Sequence, residues 1–258
     1  MNTGAVLFVK FCRVGASDHI GELTGADVVL QESWDNSGLL IGSADRQVSK
    51  IGIALDLTPE TLAMAHRNGV DLIVTHHPII FKPLSEVTAD SLVYKLIKND
   101  LSIICAHTNY DKAIEGVNDI LCYSVELEKF VHIDGTCLNV GELSSEMNSD
   151  EFAQFVKSKL NGIVRYNSIE KSVKRVAVCS GSGSDYLALA KELNCDALLT
   201  GDGSHHSFLD ADEIGISLVC AGHFETENIA IKPLADKIRN NYDIECVVAV
   251  QKSPINTI

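Results

Sequence analysis

Histidine and carboxylate side chains are the usual protein ligands of zinc, iron and related divalent metals. This sequence of 258 residues gathers several where strands should end. His76 and His77 follow the run Leu72-Ile73-Val74-Thr75 and precede Pro78. Neighbouring side chains of an extended segment point to opposite sides, so such a pair suits two metals better than one. A surface pair or a hydrogen-bonded pair is the alternative. Further on, His223-Phe224-Glu225-Thr226-Glu227 sets His223 and Glu227 four residues apart. On a helix these share a face, so both can ligate one ion or the glutamate can bridge two, while Glu225 points elsewhere. Ala106-His107-Thr108-Asn109-Tyr110-Asp111 repeats the theme with Asp111 as a hard oxygen ligand. His107 suits a group that orients a ligand, an acid/base, or a satisfied polar residue at a strand end. His206, beside His205, is a candidate acid/base at a site rim, with plain surface placement equally open.

These segments need elements to position them, and the elements come twice. Ile51–Leu55 reads as a buried strand, Thr58-Pro59-Glu60 as a helix start, Asn68-Gly69 as its stop, and Leu72-Ile73-Val74 as a second strand. In the same order come the strand Val176-Ala177-Val178-Cys179, the cap Ser184-Asp185, the helix Tyr186–Leu193, its stop Asn194 and the strand Ala197-Leu198-Leu199. Asp71-Leu72-Ile73-Val74-Thr75 lies beside Asp196-Ala197-Leu198-Leu199-Thr200 in this alignment. The helix Leu92–Lys98 and strand Ile103-Ile104-Cys105 lead to Ala106-His107. In the second copy Ile216–Cys220 leads to Ala221-Gly222-His223, and each histidine has an acid four residues on. Strand–helix–strand order with short loops predicts parallel pairing and an α/β fold of two halves, with ligands beyond the carboxyl ends of the strands. The joint is expected in the polar stretch that begins near residue 133, giving halves 1–132 and 133–258. Asp150 is the expected cap of a helix from Glu151 to about Leu160.

Two other segments read more plainly. Ser180-Gly181-Ser182-Gly183-Ser184 joins a strand to a helix, and a tight turn needing glycine is favoured over an anion cradle. It completes no dinucleotide fingerprint and no P-loop. Trp34-Asp35-Asn36-Ser37-Gly38 is turn chemistry before an apolar strand, with Trp34 anchoring the turn.

The totals exclude some classes. With 46% apolar and 22% charged residues the chain is not expected to be disordered. A net charge of -14 argues against nucleic acid held through the overall field. The run Gly4–Val9 is too short for a membrane span and lacks the order of a signal peptide. Eight cysteines without a CxxC pair, several in apolar runs, suit a reducing, cytoplasmic setting. Cys105 and Cys220 are expected in the core rather than as nucleophiles.

Taken together, WDNSGLLIG at 34–42, DLTPE at 56–60, THHPIIF at 75–81, AHTNYD at 106–111, TGD at 200–202 and AGHFETE at 221–227 resemble the NIF3-like family. Its bacterial members are often named GTP cyclohydrolase 1 type 2 homologs. The resemblance implies two intertwined α/β halves related by internal duplication, with three α/β/α layers, in the short form of the family. It implies two divalent ions (zinc, iron, nickel or manganese) on His76, His77, Asp111, His223 and Glu227, with the glutamate bridging. It also implies a homohexameric ring. Residues 1–30 depart from the usual start of the family, and Ser37-Gly38 stands where Val-Gly is usual.

Metal-assisted hydrolysis follows from such a centre, and the family name suggests opening of the GTP ring at C8 of the purine, with His107 or His206 moving protons. A hydrolase of another nucleotide-like or phosphate-bearing substrate is the neighbouring reading. A non-catalytic metal-dependent scaffold or regulator is the distant one. A substrate panel beside Glu227→Gln separates them.

Overall fold

A computed structural model describes residues 7–8, 24, 30–43 and 45–256. Most of the Gly4–Val9 run, and the departure noted over 1–30, lie outside the described residues. In chain order come β1 (Leu7–Phe8), β2 (Gly38–Ile41), β3 (Gln47–Val48), β4 (Lys50–Ala54), α1 (Pro59–Asn68), β5 (Leu72–Thr75), α2 (Leu92–Lys98), β6 (Ser102–Cys105) and α3 (Thr108–Asp111). Next are α4 (Val117–Ser124), β7 (Glu128–His132), β8 (Asn139–Met147), α5 (Ser149–Leu160), β9 (Arg165–Tyr166) and β10 (Val173–Cys179). The chain ends with α6 (Leu187–Glu192), β11 (Ala197–Thr200), α7 (His205–Ile214), β12 (Ser217–Cys220), α8 (His223–Glu227), α9 (Ile231–Tyr242) and β13 (Glu245–Val248).

The chain divides into two compact units. Met1–Ile114 and Ile231–Gln251 make the first, Glu115–Ala230 and Lys252–Ile258 the second. The first crossing therefore falls at 114/115, not near 133. The physical reason lies in residues 115–132: β7 pairs antiparallel with β8, and Leu121 and Cys122 of α4 enter the second core. The return at 231 has an equally local cause, since β13 pairs parallel with β4.

The first unit holds a sheet in the order β13-β4-β5-β6-β2. β13, β4, β5 and β6 run parallel, and β2 closes the edge antiparallel to β6. Every residue of β5 and β6 is buried, as expected for parallel strands covered on both faces. Ile51, Ile53, Leu72, Ile73, Ile103 and Ile104 are fully buried in it. The predicted start of α1 is present: Thr58 accepts from the Thr61 amide, and Pro59 sits in the first turn. Gly69 ends the helix in the left-handed region, where glycine is unstrained. Met64 and Ala65 of α1 and Val93 and Leu96 of α2 pack with Ile73 and Ile103.

The second unit has a sheet in the order β7-β8-β10-β11-β12-β9. β10, β11 and β12 run parallel, and β8 and β9 flank them antiparallel. Residues 184–186 form one 3-10 turn before α6, and Asn194 leaves the helix with φ 57°. The cap of α5 is Asn148, not Asp150. Its side chain accepts from the Glu151 amide at 2.9 Å while Glu151 accepts from the Asn148 amide at 2.9 Å, a reciprocal box that Asp150 cannot form.

The three central parallel strands of the two units share corresponding hydrogen bonds. Asp71 stands before β5 and its carboxylate accepts from the amides of Ser49 and Lys50 at 2.8 and 3.2 Å. Asp196 stands before β11 and accepts from those of Lys174 and Arg175 at 3.1 and 2.9 Å. The Ala106 amide donates to the Thr75 carbonyl at 2.8 Å, as Ala221 does to Thr200 at 2.8 Å. In these central strands the duplication read from the sequence is also one of hydrogen-bond register.

Candidate metal-binding residues

In the first unit, His76 and His77 leave the carboxyl end of β5, and His107 leaves that of β6. Parallel neighbours end side by side, so the three imidazoles converge. One ring nitrogen from each lies within 4.8 Å of the others, and the ring centres are 5.0 to 5.6 Å apart. Asp111, buried at the end of α3, brings a carboxylate oxygen 3.7 Å from Nε2 of His76.

The other nitrogen of each ring is held by an oxygen. His76 Nδ1 donates to the Ala106 carbonyl at 2.9 Å, His77 Nδ1 to Asp56 at 2.8 Å, and His107 Nδ1 to Asp35 at 2.7 Å. The carbonyl and the ionised carboxylates accept, so each ring donates from Nδ1, and the neutral form of each ring carries its lone pair on Nε2. Asp35 is itself fixed. Its carboxylate accepts from the Thr108 amide at 3.1 Å and the Thr108 hydroxyl at 2.5 Å. Burial pushes this carboxyl up, but the hydrogen bonds from His107 and Thr108 and the charge of His107 outweigh it and hold it well below the usual carboxylate range. Trp34 is 58% exposed, with its ring edge-on to those of Phe81 and His107 at 6.0 and 6.4 Å.

In the second unit, α8 sets His223 and Glu227 on one face as predicted, with Nε2 3.2 Å from the buried Glu227 carboxylate. His223 Nδ1 donates to Asp202 at 2.7 Å, two residues past the end of β11. The Ser180–Ser184 segment is a tight turn that braces this face. The Gly181 amide donates to Thr226 at 3.1 Å, and its carbonyl accepts from the Gly201 and Asp202 amides at 2.9 and 2.8 Å. A side chain at 181 would collide with the Glu227 carboxylate. His205 and His206 sit exposed in the first turn of α7. Through the register of β5 and β11 it is Gly201-Asp202, not His205-His206, that follows the repeat at the positions of His76-His77. Cys105 and Cys220 are buried, and burial raises the Cys220 thiol to about 12. Both are core residues, as expected.

A model of the family described as Duf34/NIF3 (NGG1p interacting factor 3) matches residues 21–257. The chain belongs to the DUF34/NIF3 family. A Clostridium perfringens relative named GTP cyclohydrolase 1 type 2 homolog is 34% identical over 241 residues, covering 88% of this chain and 92% of its own. A Helicobacter pylori protein named GTP cyclohydrolase 1 type 2 is 31% identical over 234 residues, covering 89% and 93%. The crystal structure of a Staphylococcus aureus hypothetical protein superposes with a TM-score of 0.85 at 27% identity, covering 93% and 96%.

The DUF34/NIF3 motifs now have physical content. The acid of WDNSG is Asp35, that of DLTPE is Asp56 and that of TGD is Asp202, and each holds Nδ1 of a histidine. Sequence reading placed Asp35 in a turn and gave Asp56 and Asp202 no role beyond the family motifs that contain them. The available signal was position, since Asp56 and Asp202 each stand two residues past the end of a parallel strand. The residues fit a divalent metal: Nε2 lone pairs and buried carboxylates form a nitrogen–oxygen donor set, and oxygen-held histidines are the usual supporting pattern of metal ligands. His107 fits that set as well as it fits the orienting role expected of it. No helix among the described residues is long and apolar enough to cross a membrane.

Proposed function

We propose that this DUF34/NIF3 protein is a metal-dependent hydrolase in which His76, His77, Asp111, His223 and Glu227 hold two divalent ions, and that its substrate is GTP or a closely related nucleotide. The observation that carries the reading is the Nδ1 pattern: His76, His77, His107 and His223 each give that proton to an oxygen. Metal-ligating histidines usually have the second ring nitrogen held by an oxygen in this way. Ions bound there would make water acidic and polarise an electrophile. The chain's own residues do the rest. Asp35, Asp56 and Asp202 hold the ring orientations. Glu227, braced by the Gly181 turn, would supply a carboxylate to the ions. His107, fixed by Asp35 and 15% exposed in its side chain, is placed to take or give a proton. The names of the Clostridium and Helicobacter relatives supply the substrate. Assembly as a hexameric ring and a cytoplasmic setting belong to the same reading.

The test is to incubate metal-loaded protein with GTP and follow the nucleotide by mass spectrometry, beside Glu227→Gln. Ring-opened or deformylated product from the wild type alone is expected. Intact GTP with both proteins would remove GTP as substrate. Equal turnover by both would remove the metal-hydrolase mechanism.

A further inference from the structure

Behind His223 the second unit holds a cavity of about 360 Å3, lined by Ile163, Arg165, Gly201, Asp202, Gly222, Glu225, Ser253 and Ile255. That size is at the small end of ligand pockets, room for a ring system rather than a whole nucleotide. Asp202 is common to the cavity and to the candidate metal residues, since its carboxylate also holds His223 Nδ1.

Three charged groups line the cavity: Asp202, which is held by His223, and Glu225 and Arg165, which form no ion pair with each other. Among the described residues Glu225 makes no ion pair and no side-chain hydrogen bond, and the guanidinium of Arg165 makes no ion pair and lies 5.9 Å from the Phe208 ring. The position of Glu225 is built. Its stem lies where a side chain at residue 162 would stand, and its carboxylate lies over residue 222; both are glycines, and a Cβ at either would strike it. A half-buried carboxylate held in this way, with an opposite charge in the same cavity, suits a ligand that offers donors on one edge and acceptors on another. Guanine is such a ring: its N1–H and N2 amine are donors, and O6 and N7 are acceptors. Adenine lacks the paired donors, so a carboxylate discriminates between the two. The aliphatic side chains of Ile163 and Ile255 supply apolar walls for a flat ring.

We propose that this cavity seats the guanine-type ring of the substrate, with Glu225 accepting from the N1–H and N2 amine and Arg165 donating to the acceptor edge. This rests on the hydrolase reading for its connection to turnover, but it is tested by binding alone. Metal-loaded protein is titrated calorimetrically with guanosine, inosine and adenosine, for the wild type, Glu225→Gln, Arg165→Ala and Glu227→Gln, and the metal content of each is measured. The expected result is guanosine bound about tenfold more tightly than inosine or adenosine, and a similar loss in Glu225→Gln and Arg165→Ala at unchanged metal content. Glu227→Gln is expected to lose metal and keep the preference for guanosine. Equal affinity for guanosine and adenosine, no binding of any nucleoside, or undiminished guanosine affinity in Glu225→Gln would overturn the assignment. Full metal content in Glu227→Gln, with the guanosine preference intact, would sink the metal reading and leave this one standing.

Discussion

An imidazole has two nitrogens, and the one that is not a ligand decides how well the other can be. In this protein His77 gives Nδ1 to Asp56 and His223 gives it to Asp202, at 2.8 and 2.7 Å. Each acid selects the tautomer, fixes the ring and raises the basicity of Nε2. The Asp56 side chain is 42% exposed, so removing its charge should disturb folding little. Asp56→Asn is expected to weaken metal binding about 10–100-fold with a near-native melting temperature. The emission of Trp34, the single tryptophan, is a convenient readout, because its ring centre lies 6.4 Å from that of His107. Unchanged affinity would mean that Asp56 does not act through His77. The histidines just past strand ends and the acids four residues after His107 and His223 were legible as residue types, but the acids behind the histidines were not. Asp35 lies 72 positions from His107, and no local pattern announces such a pairing.

At the scale of elements, the acid before β5 and its copy before β11 tie each strand to the start of the one before it. Asp71 accepts from the amides of Ser49 and Lys50 and from the Ser49 hydroxyl at 2.6 Å. Partial burial pushes its carboxyl up, but these hydrogen bonds and the charge of Arg46 outweigh that and lower it. A lowered folded-state value means stability that is present above the ordinary aspartate range and is lost as pH falls through the folded-state value. Asp71→Asn is therefore expected to cost about 1 kcal/mol at neutral pH, since the site is partly solvated. The wild type and the variant should converge in denaturant melts as pH falls through the lowered folded-state value. A gap that persists undiminished in acid would show that the charge is not what matters. The parallel cores and the α1 caps were readable because Ile51–Leu55, Leu72–Val74 and Thr58-Pro59 carry their own local signals. The β7 strand and α4 were less so. Glu128–His132 has an exposed, polar pattern, and only its pairing with β8 assigns it to the second unit.

At the scale of the whole molecule, one duplicated α/β plan carries two sets of donors at corresponding strand ends. The chain leaves the first unit at 114, builds the second, and returns at 231 to add α9 and β13. That return was hidden in the sequence because the edge strand Glu245–Val248 has no counterpart in the repeat. β13 lies parallel beside β4, whereas β8 lies antiparallel beside β10. A net charge of -14 is compatible with bound divalent cations and with small phosphate-bearing ligands recruited by metal rather than by the overall field. The central claim is the pair of ions, and elemental analysis by plasma mass spectrometry of purified protein tests it most directly, beside His76→Ala and Glu227→Gln. About two divalent ions per chain are expected in the wild type, with about one or fewer in either variant. A wild type that binds no metal after loading, or a His76→Ala protein that keeps the full complement, would contradict the account.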